Sequence, residues 1–256
     1  RFVDMNLEVG GLAGGWNGNL FGIYQETDGI LDRQAVGGEI RFVDGVRSLY
    51  VLGDYDTSYR VMNAASVQGS WTTRGGTSIN LLWDRRRAPT LTTTNAIIGQ
   101  PTTSISTLLQ TSTEDQIRQA ALDITAVAVQ GSIGLTTPVS ERWQVGADAR
   151  LINVGALPEV VFHGVTLPAQ PATGDVVSYN IQAIGTRLYS PRDSNVWSAG
   201  YATAPTYDSW LATYNNVTHL SERWSIEPSI RFYSQTDVTE IKLVRLSPGL
   251  RLIWRP

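Results

Sequence analysis

Charged residues recur at a short spacing along the chain, in a pattern that could form a polar lining able to select solutes. The pairs are Glu39 with Arg41, Asp84 with Arg86, Asp148 with Arg150, and the more widely spaced Glu227 with Arg231. Residues two apart in a β-strand project from one face, so each acid would lie beside its arginine. Neighbouring strands could join such pairs into a network of opposite charges.

Two interpretations of this pattern stay open. The charged residues could line a pore that filters a polar solute, or they could form a solvated wall in which acids and arginines neutralise each other. Further residues on the same expected faces are Asp54, Asp56, Arg245 and Arg251. Because both signs of charge occur, the pattern does not indicate whether such a pore would select anions or cations.

The strands that must position these residues are indicated by apolar and polar residues in alternation. The sequence Ser-Glu-Arg-Trp occurs at 140–143 and again at 221–224, and each copy opens such an alternating run. A period of two is typical of strands with one apolar and one polar face. We predict about thirteen strands joined by hairpins, with turns at 14–18 (through Asn17-Gly18), at Asp28-Gly29 and at Asp44-Gly45.

Two long segments interrupt the strands, at about 88–121 and 155–175. The first is rich in Thr, Ser and Asn, and Thr113 with Gln116 predicts a capping box that opens a short helix over 115–122. Counting strands places both segments at one end of the sheet and the short turns at the other. Bacterial outer-membrane barrels have short periplasmic turns and longer external loops, so we expect both segments to be external.

The composition favours a transmembrane antiparallel β-barrel over a soluble propeller or sandwich. The 256 residues are 42% hydrophobic and only 17% charged, whereas soluble domains have about 25% charged residues. No run of 18 apolar residues occurs, but a barrel strand needs only about 9–11 tilted residues. Tryptophans near strand ends fit the aromatic belts of a membrane interface: Trp71, Trp83, Trp143, Trp224 and Trp254.

Several classes of function lack a signal in the sequence. Cys is absent and the net charge is −3, so we predict no disulfides, no thiolate metal site and no nucleic-acid partner. Asp54 and Asp56 faintly resemble the paired acids of outer-membrane proteases, but neither His163 nor His219 lies at an Asp-His spacing near them. We therefore predict no catalytic site, metal or cofactor. The basic run 85–87 could bind lipopolysaccharide phosphates or anchor a strand end.

The sequence resembles the C-terminal barrel of tetratricopeptide-repeat outer-membrane proteins of Gram-negative bacteria. The likeness rests on 49–56 (LYVLGDYD), 87–100 (RAPTLTTTNAIIGQ), 246–251 (LSPGLR) and the two Ser-Glu-Arg-Trp turns. Relatives of similar layout export exopolysaccharides through a barrel of about sixteen strands, guided by a periplasmic helical-repeat scaffold. The resemblance implies that 1–256 is one barrel domain of a longer protein, exporting a polysaccharide across the outer membrane.

The sequence thus predicts an outer-membrane pore in contact with lipid, with polysaccharide and a repeat scaffold as partners that the resemblance implies. A second hypothesis is a structural or adhesive barrel that is plugged by the 88–121 segment and binds partners through its external loops. A third, a hydrolase at the barrel rim, is the weakest because the histidine spacing is missing.

Overall fold

A computed structural model describes residues 2–12 and 14–254, which are almost entirely β structure. Thirteen long strands form one antiparallel sheet in chain order, and two short strands form a separate hairpin. The strands are β1 (Phe2–Leu12), β2 (Trp16–Thr27), β3 (Ile30–Val43), β4 (Arg47–Asp56), β5 (Val61–Thr72), β6 (Ser78–Ala88), β7 (Ala126–Pro138), β8 (Trp143–Val154), β9 (Val160–Phe162), β10 (Val165–Leu167), β11 (Val176–Thr186), β12 (Asp193–Ala204), β13 (Tyr207–His219), β14 (Trp224–Asp237) and β15 (Lys242–Trp254). The predicted all-β fold and the number of long strands are confirmed.

The chain divides into two compact units. The first unit comprises residues 1–69, 82–131 and 152–174, and the second comprises 70–81, 132–151 and 175–256. The first unit therefore contains β1–β4 and both long segments, and the second contains β11–β15. Among the described residues, no helix is long and apolar enough to cross a membrane.

Both long connections, 89–125 and 155–175, lie at the same end of the strands, as the sequence predicts, and that end also has the two-residue turn at 28–29. We call the end with the connections 44–46, 73–77 and 139–142 the turn end, and the opposite end the loop end. Asp28 and Gly29 form a two-residue turn with φ of 54° and 79°, which agrees with the preference of tight hairpins for Asp-Gly.

The hairpin predicted over 14–18 is confirmed, but Asn17 and Gly18 do not form its turn. Both residues lie inside β2, and Asn17 pairs with Arg41 of β3. The chain reverses instead at Gly14 and Gly15, whose φ values of 82° and 86° suit glycine. The preference of Asn-Gly for a turn is overridden here, because β1 and β2 pair as far as Leu12 and Trp16. The chain therefore reverses before it reaches Asn17.

The segment between β6 and β7, residues 89–125, folds into a compact helical module that we call the insertion. It contains a 3₁₀ helix (Thr93–Ile97), α1 (Ile105–Leu108) and α2 (Glu114–Asp123). The predicted capping box is confirmed, since Thr113 and Gln116 bond each other reciprocally at the start of α2. The 3₁₀ helix and α1 were not predicted, because their apolar residues are scattered through a Thr- and Ser-rich sequence. The segment 155–175 contains the β9–β10 hairpin.

The cluster of buried apolar side chains lies between the insertion and the loop end of the first unit. Its members are Ile30, Leu91, Ala96, Ile105, Leu108, Ile117, Ala120 and Ala121. Tyr59, Val61 and Phe162 pack against this cluster. The apolar residues of the insertion thus hold it against the strands, because exposing them to water would be unfavourable.

Each unit presents one polar and one apolar face, as the alternation predicts. In the first unit, Val36 and Ile40 of β3 are 53% and 49% exposed, and Glu39 lies on the opposite face with Arg41. In the second unit, the exposed apolar residues Phe232 and Leu246 are cross-strand partners. Pro228 and Pro248 lie within β14 and β15 without interrupting the pairing of these strands.

Candidate functional site

The polar face of the first unit contains a buried ion-pair cluster around Arg33. Its guanidinium group forms a salt bridge with Asp54, and Nε lies 4.0 Å from Asp56 Oδ2. The three side chains are at most 13% exposed. Asp54 and Asp56 share this face because they are two apart in β4. The sequence prediction included both acids but missed Arg33.

The structure gives Asp56 a role in shaping the loop end of β4. Oδ1 of Asp56 accepts hydrogen bonds from the backbone N–H groups of Ser58 and Tyr59 and from the Ser58 hydroxyl. Its other oxygen faces Arg33. Asp54 thus pairs with Arg33 on the polar face, and Asp56 also stabilises the turn that follows β4. These contacts give no support to a protease-like acid pair.

Glu39 and Arg41 form the second charged group on this face. Arg41 Nη2 lies 2.9 Å from Glu39 Oε1, and the Tyr50 hydroxyl donates to Glu39 Oε2 at 2.9 Å. Arg41 also lies over the Tyr50 ring, 5.3 Å from its centroid. The pair borders a polar cavity of about 340 Å³ that Asn6 and Asn19 also line.

Asp84 and Arg86 of β6 form the tightest of the predicted pairs. Arg86 Nε and Nη2 each lie 2.6 Å from a carboxylate oxygen of Asp84, which is a bidentate contact. Asp84 is buried, whereas the Arg86 side chain is 55% exposed. The other members of the basic run bind backbone: Arg85 donates to Met62 O at 3.2 Å and Arg87 to Thr125 O at 3.4 Å. This arrangement favours a structural role for the run.

The insertion is fixed to the polar face through Asp32, which the sequence prediction missed. Thr94 donates to Asp32 Oδ1 from its backbone N–H and from its hydroxyl, both at 2.7 Å. Gln25 and Thr27 donate to the other carboxylate oxygen at 2.7 and 3.1 Å. The Thr93 hydroxyl donates to the backbone carbonyls of Leu31 and Asp32. These bonds tie the 3₁₀ helix to β2 and β3.

A bulge explains why Asp32 faces the polar side next to Arg33. Gln25 pairs with Arg33 while Glu26 pairs with Leu31, so Asp32 has no cross-strand partner. A bulge inserts one residue and shifts the alternation. Strict alternation would place Asp32 on the apolar face.

Tyr59, in the turn between β4 and β5, adds a further contact with the insertion. Its hydroxyl donates to Thr93 Oγ1 at 3.1 Å. Burial raises the pKa of Tyr59 to about 12, and the nearby Asp56 carboxylate acts in the same direction. The phenol therefore stays neutral throughout the physiological range.

On the polar face of the second unit, Asp148 and Glu227 each contact a residue on a neighbouring strand. Asn180 donates to Asp148 at 3.0 Å, and Arg150 lies two residues further along β8. Glu227 lies 3.6 Å from Arg251, since these residues are cross-strand partners in β14 and β15. Glu227 thus takes part in a cross-strand ion pair of the kind that the predicted network of opposite charges requires.

Arg231 and Arg245 line a cavity of about 600 Å³ on the same polar face. In the register of β14 and β15, Arg231 opposes Ser247 and Arg245 opposes Tyr233. The structure thus places the predicted charged residues on polar faces within their own units. Their pore-lining role stays a prediction.

The predicted interface tryptophans lie on strands near the turn end, apart from Trp83 within β6. Trp143 stacks on Trp197 with centroids 5.4 Å apart, and Trp197 contacts Tyr214 at 5.2 Å. Trp224 and Trp254 are cross-strand partners and are 43% and 54% exposed. Trp71 and Trp83 are likewise exposed. Their contact with a membrane interface stays a prediction.

The histidine chemistry is limited. His163 bonds the hydroxyl groups of Thr111 and Ser112 at 3.1 and 2.9 Å and contacts Phe162 edge-on. Across residues 2–12 and 14–254, no group of three or more His, Cys, Asp or Glu could hold a metal ion.

A scan against protein-family models finds no match, and a search of curated proteins finds none either. Among solved structures, the chain is similar to the outer membrane channel DcaP of Acinetobacter baumannii, with a TM-score of 0.53, 9% identity, and coverage of 99% of this chain and 84% of that one. Weaker likenesses are to the CymD monoaromatic hydrocarbon channel (TM-score 0.43, 9% identity, 98% and 81% covered) and to a FadL homologue of Pseudomonas aeruginosa (TM-score 0.43, 11% identity, 98% and 75% covered).

The chain therefore has the fold of bacterial outer-membrane β-barrel channels. That fold agrees with the outer-membrane location that the sequence predicts. The finer family resemblance, to barrels associated with tetratricopeptide repeats, has no counterpart in these comparisons.

Proposed function

We propose that the chain forms the membrane-spanning barrel of an outer-membrane channel for small polar solutes. The single observation that carries this proposal is the division of each strand into two chemically opposite faces. Val36 and Ile40 of β3 expose about half of their side-chain surface, while Glu39 and Arg41 pair on the other face. Large apolar surfaces exposed to water are uncommon in soluble proteins, but in a barrel they contact lipid while the polar face lines the lumen.

The insertion supports a narrow passage for small solutes. It is fixed to the polar face by Asp32 and has its own buried core, so it would occupy part of the lumen. The export of polysaccharide predicted from the family resemblance requires room for a polymer chain, and an ordered insertion makes that less favourable. The periplasmic helical-repeat scaffold stays a predicted partner, because no contact among the described residues bears on it.

The fold and the channel activity are tested separately. Migration in detergent gels should depend on heating, as for other barrels of this class, whereas a chain that stays dispersed without detergent would contradict the membrane assignment. In a planar lipid bilayer, the purified protein should produce discrete conductance steps. Absence of steps from both the complete chain and a variant without the insertion would overturn the channel assignment.

The burial of the insertion also favours a second candidate, a plugged structural or adhesive barrel. In that case the complete chain would be electrically silent, and conductance would arise only after removal of the insertion. The bilayer measurement on both forms therefore distinguishes the two functions.

A further inference from the structure

The cavity on the polar face of β13–β15 has an unusual charge arrangement. Its volume is about 600 Å³, and its lining includes Thr213, Asn215, Ser229, Arg231, Tyr233 and Arg245. The lining therefore contains two guanidinium groups and no acidic side chain. Hydroxyl and amide groups lie beside the arginines as further donors, and Leu211, Ile230 and Pro248 give the cavity apolar surface as well.

The sheet register holds the two arginines close together. Arg231 opposes Ser247, and Arg245 opposes Tyr233, so the arginines are diagonal neighbours across the β14–β15 pair. Such neighbours lie about 7–8 Å apart, within reach of one another's long side chains. An anion held between two guanidinium groups in one cavity would reduce their mutual repulsion.

The acids nearby do not satisfy these charges. Glu227, the acid of β14 on the same face, is paired with Arg251 at 3.6 Å and lies four residues from Arg231 along the strand. Within the part of the chain that the structure describes, neither Arg231 nor Arg245 has an acidic group within 4.0 Å. Both side chains are exposed on the polar face, so they are accessible to a solute.

We propose that Arg231 and Arg245 form a binding site for a small oxyanion that carries a carboxylate or phosphate group. The planar guanidinium group presents parallel N–H donors that match two oxygens of a carboxylate or phosphate. Ser229 supplies a hydroxyl group to the same cavity, and the Thr213 hydroxyl there is also bonded to Ser198 at 2.6 Å. This inference deepens the proposed function and rests on it, since the site would give the channel its selectivity.

Binding is measured first, because it does not require an open pore. Saturation-transfer NMR in detergent micelles, with succinate and phosphate as separate probes, should show contact with the wild-type protein. The double variant Arg231→Gln/Arg245→Gln should bind succinate about tenfold or more weakly, a change typical of losing charge-assisted hydrogen bonds. The variant Arg192→Gln/Arg223→Gln removes the same two charges from turn-end connections and should bind succinate like the wild type.

The probes also separate the sources of the oxyanion. Displacement of succinate by phosphate at equal strength would identify a general oxyanion site, and weaker displacement would identify a carboxylate site. Either result supports the proposal. Equal displacement by chloride would overturn it, because simple charge screening would then explain the contact. Equal succinate binding by the wild type and the Arg231→Gln/Arg245→Gln variant would also overturn it.

Conductance then distinguishes failure of the site from failure of the channel. In a salt gradient, the wild-type channel should prefer anions, and the Arg231→Gln/Arg245→Gln variant should lose most of that preference while the control variant retains it. Succinate binding by a protein that never conducts would contradict the proposed channel but leave the site intact. Conductance with no loss of anion preference in the double variant would contradict the site and leave the channel intact.

Discussion

Asp32 Oδ1 accepts two hydrogen bonds of 2.7 Å from Thr94, one from the backbone N–H and one from the hydroxyl. Asp32 belongs to β3 and is only 1% exposed, whereas Thr94 belongs to the insertion. Bonds to a charged acceptor contribute more than neutral ones, at about 1.5–3 kcal/mol each. This contact therefore fixes the insertion to the polar face, in combination with the apolar cluster around Leu91.

Asp32→Ala should loosen the insertion while leaving the strands folded. The substitution removes the acceptor of both Thr94 bonds and of the Gln25 bond, so we expect local opening of the insertion to become easier by about 3 kcal/mol. Hydrogen exchange at the amides of α2 measures this opening. Thr94→Val removes only the hydroxyl bond and should lower protection by about 1.5 kcal/mol, half the effect of Asp32→Ala. Unchanged exchange in Asp32→Ala would show that the apolar cluster alone holds the insertion.

Where the alternation is regular, the sequence predicts on which face of a strand each residue lies. Glu39 and Arg41 do pair as their spacing indicates, and the capping box at Thr113 opens α2. These features depend on local periodicity, which one sequence displays directly. The thirteen-strand sheet follows from repeating that periodicity with turns between the runs.

The contacts that were not predictable depend on register. Asp32 reaches the polar face through a bulge, and Glu227 meets Arg251 rather than Arg231 because β14 and β15 pair in that register. A period of two assigns a residue to a face but not to a cross-strand partner. The folding of the insertion was missed for a related reason, since its buried residues are scattered among threonines and serines over 89–125.

Arg33→Met should destabilise the first unit, because Asp54 and Asp56 would then be buried without their cationic partner. Removing one partner of a buried ion pair costs about 3–5 kcal/mol. The loss should appear as a lower urea midpoint of the heat-modifiable form. Arg41→Met is the matched control: its side chain is 59% exposed, so the loss should stay below about 1 kcal/mol. Equal losses in the two variants would contradict a buried role for Arg33.

Ile117→Ala should destabilise the insertion without unfolding the sheet. Ile117 is fully buried in the apolar cluster, and truncating such a side chain costs about 2–5 kcal/mol. Exchange protection within α2 should fall by that amount, while the heat-dependent gel shift persists. Leu109→Ala provides the control because Leu109 is 36% exposed. A simultaneous loss of the gel shift would show that insertion and sheet form one cooperative unit.

Alkaline pH should release the insertion through Tyr59. Its pKa is raised by burial to about 12 in the folded chain, from an ordinary value of 10.0, so the fold favours the neutral phenol. The contribution of Tyr59 is fully present below pH 10 and is lost as the pH rises towards 12. Absorbance of tyrosinate and exchange protection in α2 should change together over this range. Tyr59→Phe cannot ionise, so its insertion should lose less protection there, and an identical pH profile would contradict the assignment.

Single-channel conductance with and without the insertion tests the central proposal most directly. In the deletion variant, residues 90–124 are replaced by a hairpin linker of about four residues, because β6 and β7 are neighbours in the sheet. We predict small discrete steps from the complete chain and several-fold larger steps from the deletion variant. A complete chain and a folded deletion variant that both fail to conduct would contradict the account.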